Sequence, residues 1–140
     1  MLGRAKPFVD AHLGELRRSR GAWRGSVRLA PNDPIPLSVP GSRSEPDHAA
    51  LELARTIPAE YERGRGAVEA ALDEHRTAAL EGVGAEGLVY PAPTSAAVIE
   101  LDRSLTIQLA YEVDWDDDHT LGACLRGGEL VELNGSILEP

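Results

Sequence analysis

The sequence predicts an α+β fold: an antiparallel sheet, built from N-terminal strands and a C-terminal three-stranded meander, with a helical pair packed on one face. Three observations carry that expectation. Across residues 105–115 six large apolar residues fall on every second position, between Thr106, Gln108, Ala110, Glu112 and Asp114, the period of a half-buried strand. Apolar residues between 46 and 81 recur instead at three- and four-residue steps, the period of a helix with one buried face. Tight-turn signals, Gly127-Gly128 above all, separate the last apolar runs at hairpin spacing. A chain of 140 residues with 42% apolar content is the size of one ordinary domain with one hydrophobic core, so residues 1–140 are read as a single domain. Aromatics make up only 4%, so that core must rest on Leu, Val, Ile and Ala, and each tryptophan matters locally.

From the N-terminus, Phe8, Val9 and Leu13 open a strand-forming region punctuated by Gly14 and by Ser19-Arg20-Gly21. Trp23, Val27 and Leu29 then share one face of an extended run, with Arg24, Ser26 and Arg28 on the other. Pro31-Asn32-Asp33-Pro34 reads as a turn. In the next run, Ile35, Leu37 and Val39 alternate with Pro36, Ser38 and Pro40. Prolines lack the N–H that a neighbouring strand would need, which predicts an edge strand. Ser44-Glu45-Pro46-Asp47 starts the helical region. Leu51, Ala54, Ile57 and Tyr61 mark its first buried face, and Val68, Ala71, Leu72, His75 and Ala79 resume the period. Pro58 predicts a kink or a division, loosened again by Gly64 and Gly66, so 46–81 holds two helices or one bent helix.

Residues 88–93 read as an extended connector, after which Thr94 or Ser95 caps a short turn of helix reaching about Leu101. The long strand follows, with Leu105, Ile107, Leu109, Tyr111, Val113 and Trp115 on one face. Asp116-Asp117-Asp118 is a polar turn, His119 to Arg126 returns, and Glu129 to Leu133 closes the meander before Asn134-Gly135. The core is expected to include Trp23, Val27, Leu51, Ile57, Leu72, Ile107, Leu109, Tyr111 and Val113.

Charge is unevenly placed. Residues 1–28 carry seven Lys/Arg against Asp10 and Glu15, a net +5, while the rest of the chain carries −14 of the total −9. Such an acidic body repels nucleic acid and attracts basic proteins or cations. The basic segment either lies against that body or serves a partner of its own. Cys124 is the single cysteine and can form no intrachain disulfide. No apolar run approaches the roughly 20 residues needed to span a bilayer, and the first twenty residues lack a signal-peptide core. These features predict a cytoplasmic protein with no membrane partner.

Polar residues concentrate at Glu112, Asp114, Asp116, Asp117, Asp118 and His119. Asp114, Asp116 and Asp118 match the first three ligand positions of a helical calcium loop, but that loop needs Gly and Glu where His119 and Leu125 stand. A divalent-cation site of Asp116, Asp118 and His119 stays open as an alternative on ligand type alone, against a solvated acidic tip in which His119 stacks on Trp115 or bonds a carboxylate. Cys124 has no adjacent His and reads as a packing residue. Among the other histidines, His12, His48 and His75 are dispersed. The glycines form neither a phosphate loop nor a dinucleotide fingerprint, so no cofactor is expected. Trp115 is either buried or an exposed anchor for a partner.

Two stretches carry a resemblance. One is Phe8, then Leu13-Gly14-Glu15-Leu16, then Trp23-Arg24-Gly25-Ser26-Val27. The other is Trp115-Asp116-Asp117-Asp118-His119-Thr120-Leu121-Gly122-Ala123 with Gly128-Glu129-Leu130-Val131-Glu132-Leu133-Asn134-Gly135. Their order resembles small bacterial α+β domain families of unknown function, some members of which lie near polymorphic-toxin immunity genes. Asp118 stands where those families carry Glu. The resemblance implies a fold and assigns no catalytic residue.

Together these readings predict a non-enzymatic binding module, an immunity-type inhibitor of a basic protein. The expected contact surface is Asp114, Trp115, Asp116, Asp117, Asp118 and His119, with Glu129 and Glu132 from the last hairpin. The alternative is a metal-assisted hydrolase centred on residues 114–119.

Overall fold

The computed structural model describes residues 6–29, 33–79, 91–116 and 118–138. Within them the chain runs β1 (Phe8–Asp10), β2 (Gly14–Ser19), β3 (Ala22–Arg28), β4 (Pro34–Val39), α1 (His48–Arg55), α2 (Ile57–Ala79), β5 (Ser95–Leu101), β6 (Ser104–Glu112), β7 (Thr120–Arg126) and β8 (Glu129–Asn134). The strands join in one eight-stranded sheet whose spatial order repeats the sequence order. The fold is mixed α/β and dominated by the sheet. No helix among the described residues is long and apolar enough to cross a membrane.

The C-terminal meander forms as its pattern demands. β6 pairs with β7 from Ile107↔Leu125 to Glu112↔Thr120, and β7 pairs with β8 across Gly127-Gly128. Both glycines sit at positive φ, 62° and 77°, which matches the right-handed strand twist and is costly for residues with a Cβ. Ile107, Leu109 and Tyr111 are buried and cluster with Val98, Leu125, Trp23, Leu51, Ile57 and Leu72. All nine core residues expected from the sequence belong to this cluster.

Four expectations are corrected. First, the sheet is not wholly antiparallel, and β4 is not at its edge. β4 pairs antiparallel with β3 and parallel with β5, through Leu37↔Ala96 and Ser38↔Ala97 only. The parallel pairing follows from the helical crossover between the two strands. Proline is tolerated beside such a short ladder because few N–H groups are required of it. The true edges are β1 and β8.

Second, Ser95–Leu101 is a strand and not a helical turn. Val98 and Ile99 are β-branched, and both are fully buried. Ser95 to Leu101 pairs along its whole length with Ala110 to Ser104. The hairpin turns at Asp102-Arg103, both at positive φ. No glycine announces that turn. Third, Gly14 and Ser19 bound a strand, β2, instead of merely breaking one. Leu16, its buried residue, lies where a Cβ on Gly25 would be.

Fourth, the helices begin and divide slightly differently. Asp47 caps α1, its carboxylate accepting the Ala50 N–H at 3.0 Å, so Pro46 lies outside the helix. Thr56 ends α1, and its carbonyl accepts the Glu60 N–H of α2 at 2.9 Å. Pro58 thereby falls in the first turn of α2, where its missing N–H is harmless. Gly64 and Gly66 do not interrupt α2. A Cβ on Gly64 would lie 2.8 Å from Leu125 Cδ2, so this glycine lets the helix approach the sheet closely.

The face of β6 opposite the core is also covered. Thr106, Gln108 and Ala110 are buried, which alternation alone does not predict. The Gln108 amide donates to the Leu138 carbonyl at 2.7 Å and accepts the Leu138 N–H at 2.8 Å. A residue after β8 is thus tied across the middle of the sheet. Residues 31–32, in the expected Pro31–Pro34 turn, and 88–90, in the expected connector, lie outside the described residues.

Candidate functional site

Past the end of β6 the chain turns through the aspartate-rich stretch. Val113 is buried, Trp115 and Asp116 are half-buried, and Asp114, Asp118 and His119 are exposed. Trp115 packs against the core, and its indole N–H donates to His75 Nδ1 of α2 at 2.9 Å. That bond requires an unprotonated Nδ1 on His75. The two rings lie 6.3 Å apart, tilted by 44°. Trp115 is therefore both packed and hydrogen-bonded, and its polar edge is directed at α2.

Asp116 is the organised carboxylate of the turn. Its Oδ1 accepts the Asp118 N–H at 3.2 Å and lies 3.0 Å from His119 Nδ1. The hydrogen bond with His119, reinforced by the backbone N–H groups, holds the Asp116 carboxyl below the usual carboxylate range. His119 pairs with a carboxylate here and does not stack on Trp115, whose aromatic partner is His75. Asp117 lies outside the described residues. Among the described residues, no three His, Cys, Asp or Glu side chains converge on a point where a metal ion could sit. Asp116 and His119 come together, while Asp118 reaches Asp116 with its backbone N–H.

The two glutamates of the expected surface lie elsewhere. Glu129 starts β8 opposite Arg126, and Glu132 faces Cys124. The Gly127-Gly128 turn is at the far end of β7 from His119, and a seven-residue strand spans about 20 Å. Two turns that follow one another in sequence thus open at opposite ends of the sheet, and Glu129 does not join Asp116. Cys124 is buried. Burial, with the Glu132 charge adding to it, pushes its thiol up to about 11, so it stays protonated near neutral pH and serves as a packing residue.

From Phe8 on, the N-terminal basic segment forms β1 to β3 of the sheet, and several of its cations are used within the chain. Arg18 Nη1 donates to the carbonyls of Gly41 and Ser42 at 2.8 and 2.9 Å. Arg17 pairs with Glu15. Arg24 donates to the Ser19 carbonyl and to Ser38 Oγ. The partners are mostly carbonyls and hydroxyls rather than the acids of the body.

Sequence reasoning missed the most heavily bonded carboxylate among the described residues. Asp10 is buried at the end of β1, where its Oδ2 accepts the N–H groups of His12 and Leu13, each at 2.9 Å. Its Oδ1 accepts both Nε, at 2.9 Å, and Nη2 of Arg55 at the end of α1. The Arg55 hydrogen bonds outweigh the opposing effect of burial and hold the carboxyl down at about 2. The spacing Asp-x-His-Leu before Gly14 signals an Asx-type turn; the partner 45 residues away leaves no local signature. Compared with known protein families, curated proteins and solved structures, the chain matches none.

Proposed function

We propose that this chain is a non-enzymatic binding module that takes a basic protein partner on its acidic turn, in the manner of an immunity-type inhibitor. The observation that supports the reading best is the Trp115–His75 hydrogen bond. It ties the turn to α2, so Asp114, Asp116 and Asp118 project from a positioned surface. Positioned charges steer a basic partner and set its orientation at a lower entropic cost than a free loop would. The net charge of −9 favours such an encounter. The proposed surface is Asp114, Trp115, Asp116, Asp117, Asp118 and His119, without Glu129 at the other end of the sheet or Glu132, which lies opposite Cys124 within the β7–β8 ladder. The metal-assisted hydrolase reading draws no support from the described side chains.

The test is affinity capture from the source lysate with the wild-type chain and with a variant carrying Asp114→Asn, Asp116→Asn and Asp118→Asn. A basic protein retained by the wild type, lost by the variant, and released as ionic strength rises towards about 1 M, where screening acts over about 3 Å, is the expected result. Recovery of the same proteins by both chains, or of none by either, refutes it.

A further inference from the structure

On the sheet face opposite the core lies a groove of about 420 Å³, within the range of roughly 300–1,000 Å³ common for small-molecule sites. Its floor follows from the register. Arg24, Ser38, Ala97 and Gln108 form one cross-strand row over β3 to β6, and Ser95 faces Ala110 in the next. Small side chains at Ser38, Ser95, Ala97 and Ala110 leave the space. One end of the groove is cationic, with Arg20 and Arg24, and Ile137 and Leu138 line it as well. The last two are about 40% exposed, among the few large apolar side chains of the described residues that are.

Like Arg18 and Arg126, which bond carbonyls and a hydroxyl, the two arginines have no carboxylate partner among the described residues. Acids outnumber Lys and Arg by 23 to 14, and Arg17, Arg55, Arg63 and Arg65 each pair with a carboxylate. Arg24 is nevertheless oriented: Nε donates to the Ser19 carbonyl at 3.0 Å and Nη1 to Ser38 Oγ at 2.8 Å, with Nη2 left over. Arg20 sits at φ 52° on the tight turn before Gly21, a conformation that residues with a Cβ seldom adopt. An oriented, carboxylate-free guanidinium presents the planar fork that matches a carboxylate or a phosphate.

We propose that this groove binds a small amphipathic organic anion. The carboxylate or phosphate lies against Arg20 and Arg24, with the Ser38 and Ser95 hydroxyls beside it, and a short carbon chain covers Ile137 and Leu138. The site is distinct from the acidic turn and does not depend on the reading given to that turn.

The experiment is an amide-shift titration of the full chain with hexanoate, hexyl phosphate, inorganic phosphate and the uncharged hexanamide. Hexanoate or hexyl phosphate is expected to give saturable shifts centred on Ser38, Ser95, Gln108 and Leu138. Hexanamide, which lacks the charge, and inorganic phosphate, which lacks the chain, bind at least about tenfold more weakly. Arg20→Gln weakens the binding of the better anion by roughly tenfold, and so does Arg24→Gln, while Arg65→Gln, on α2 and paired with Glu69, leaves it unchanged. Should Arg24→Gln unfold through loss of its bonds to Ser19 and Ser38, Arg20→Gln decides alone. Equal binding of hexanamide and hexanoate, wild-type affinity in Arg20→Gln, or no saturable shift with either anion overturns the proposal.

Discussion

Replacing Asp10 by asparagine removes the charge that ties the first turn of the sheet to the end of α1. Its carboxyl is held at about 2, against an ordinary value of 3.8, chiefly by Arg55. A gap of that size corresponds to about 2 kcal/mol of linked stability. The Arg55 side chain is 36% exposed, so solvent screening lowers the expected figure to about 1–2 kcal/mol. The sign is fixed by the direction of the shift. A carboxyl depressed in the folded state contributes fully above its unfolded value, and the contribution is lost as pH falls from about 4 to about 2. The amide introduced by Asp10→Asn does not titrate. Urea unfolding of both chains, followed by far-UV circular dichroism from neutral pH downward, should therefore show the wild type ahead by about 1–2 kcal/mol at neutrality. That lead should shrink through the acid range. Two stability curves that fall in parallel between about pH 4 and pH 2 would refute the reasoning, because the Asp10 proton would then not be coupled to folding.

Other outcomes follow from the packing. Ile107→Asp places an unpaired charge at a fully buried position and should cost more than about 4 kcal/mol; a cooperative urea transition close to that of the wild type contradicts the strand assignment. Gly64 and Gly66 form a matched pair in α2. A Cβ at Gly66 meets nothing within 4 Å, whereas one at Gly64 meets buried Leu125. Gly66→Ala should stabilise by about 1 kcal/mol, and thermal melts should show that Gly64→Ala forfeits this gain. His75→Ala deletes the acceptor of the Trp115 indole N–H; a loss of about 1 kcal/mol and a red-shifted tryptophan emission are expected, and unchanged emission would show that Trp115 is held by packing alone.

Much of the sheet was legible wherever the pattern is local. Residues 105–113 alternate at strand period, and Gly127-Gly128 can hardly be anything other than a tight turn, so β6 to β8 followed directly. β5 was not legible because Ser95-Ala96-Ala97 reads as a helix start and the Asp102-Arg103 turn contains no glycine; the strand exists because β4 and β6 flank it. The position of β4 is hidden for a similar reason. Pro36 argues against a neighbour, and only the crossover supplies one. For the candidate site, the character of residues 114–119 could be read from the sequence, but their relation to Glu129 depends on which end of β7 each turn occupies. The groove with Arg20 and Arg24 was invisible, since its walls come from several strands and the residues after β8.

The parallel junction between β4 and β5 has a consequence for folding. Every other pairing in the sheet joins strands that adjoin in sequence, so hairpins can form quickly and without long-range search. The junction alone must close a crossover of roughly 55 residues. On chain statistics that loop entropy is about 3.6 kcal/mol plus a constant, and only two residue pairs return it in the ladder. The two halves of the sheet should therefore meet late, with α1 and α2 docking as they do. Substitutions that trim Leu37 or Val98 should slow folding in stopped-flow measurements. Equivalent ones at Leu121, in a hairpin formed before that step, should slow it as well, whereas Leu37 and Val98 variants that mainly speed unfolding would place the junction outside the rate-limiting step.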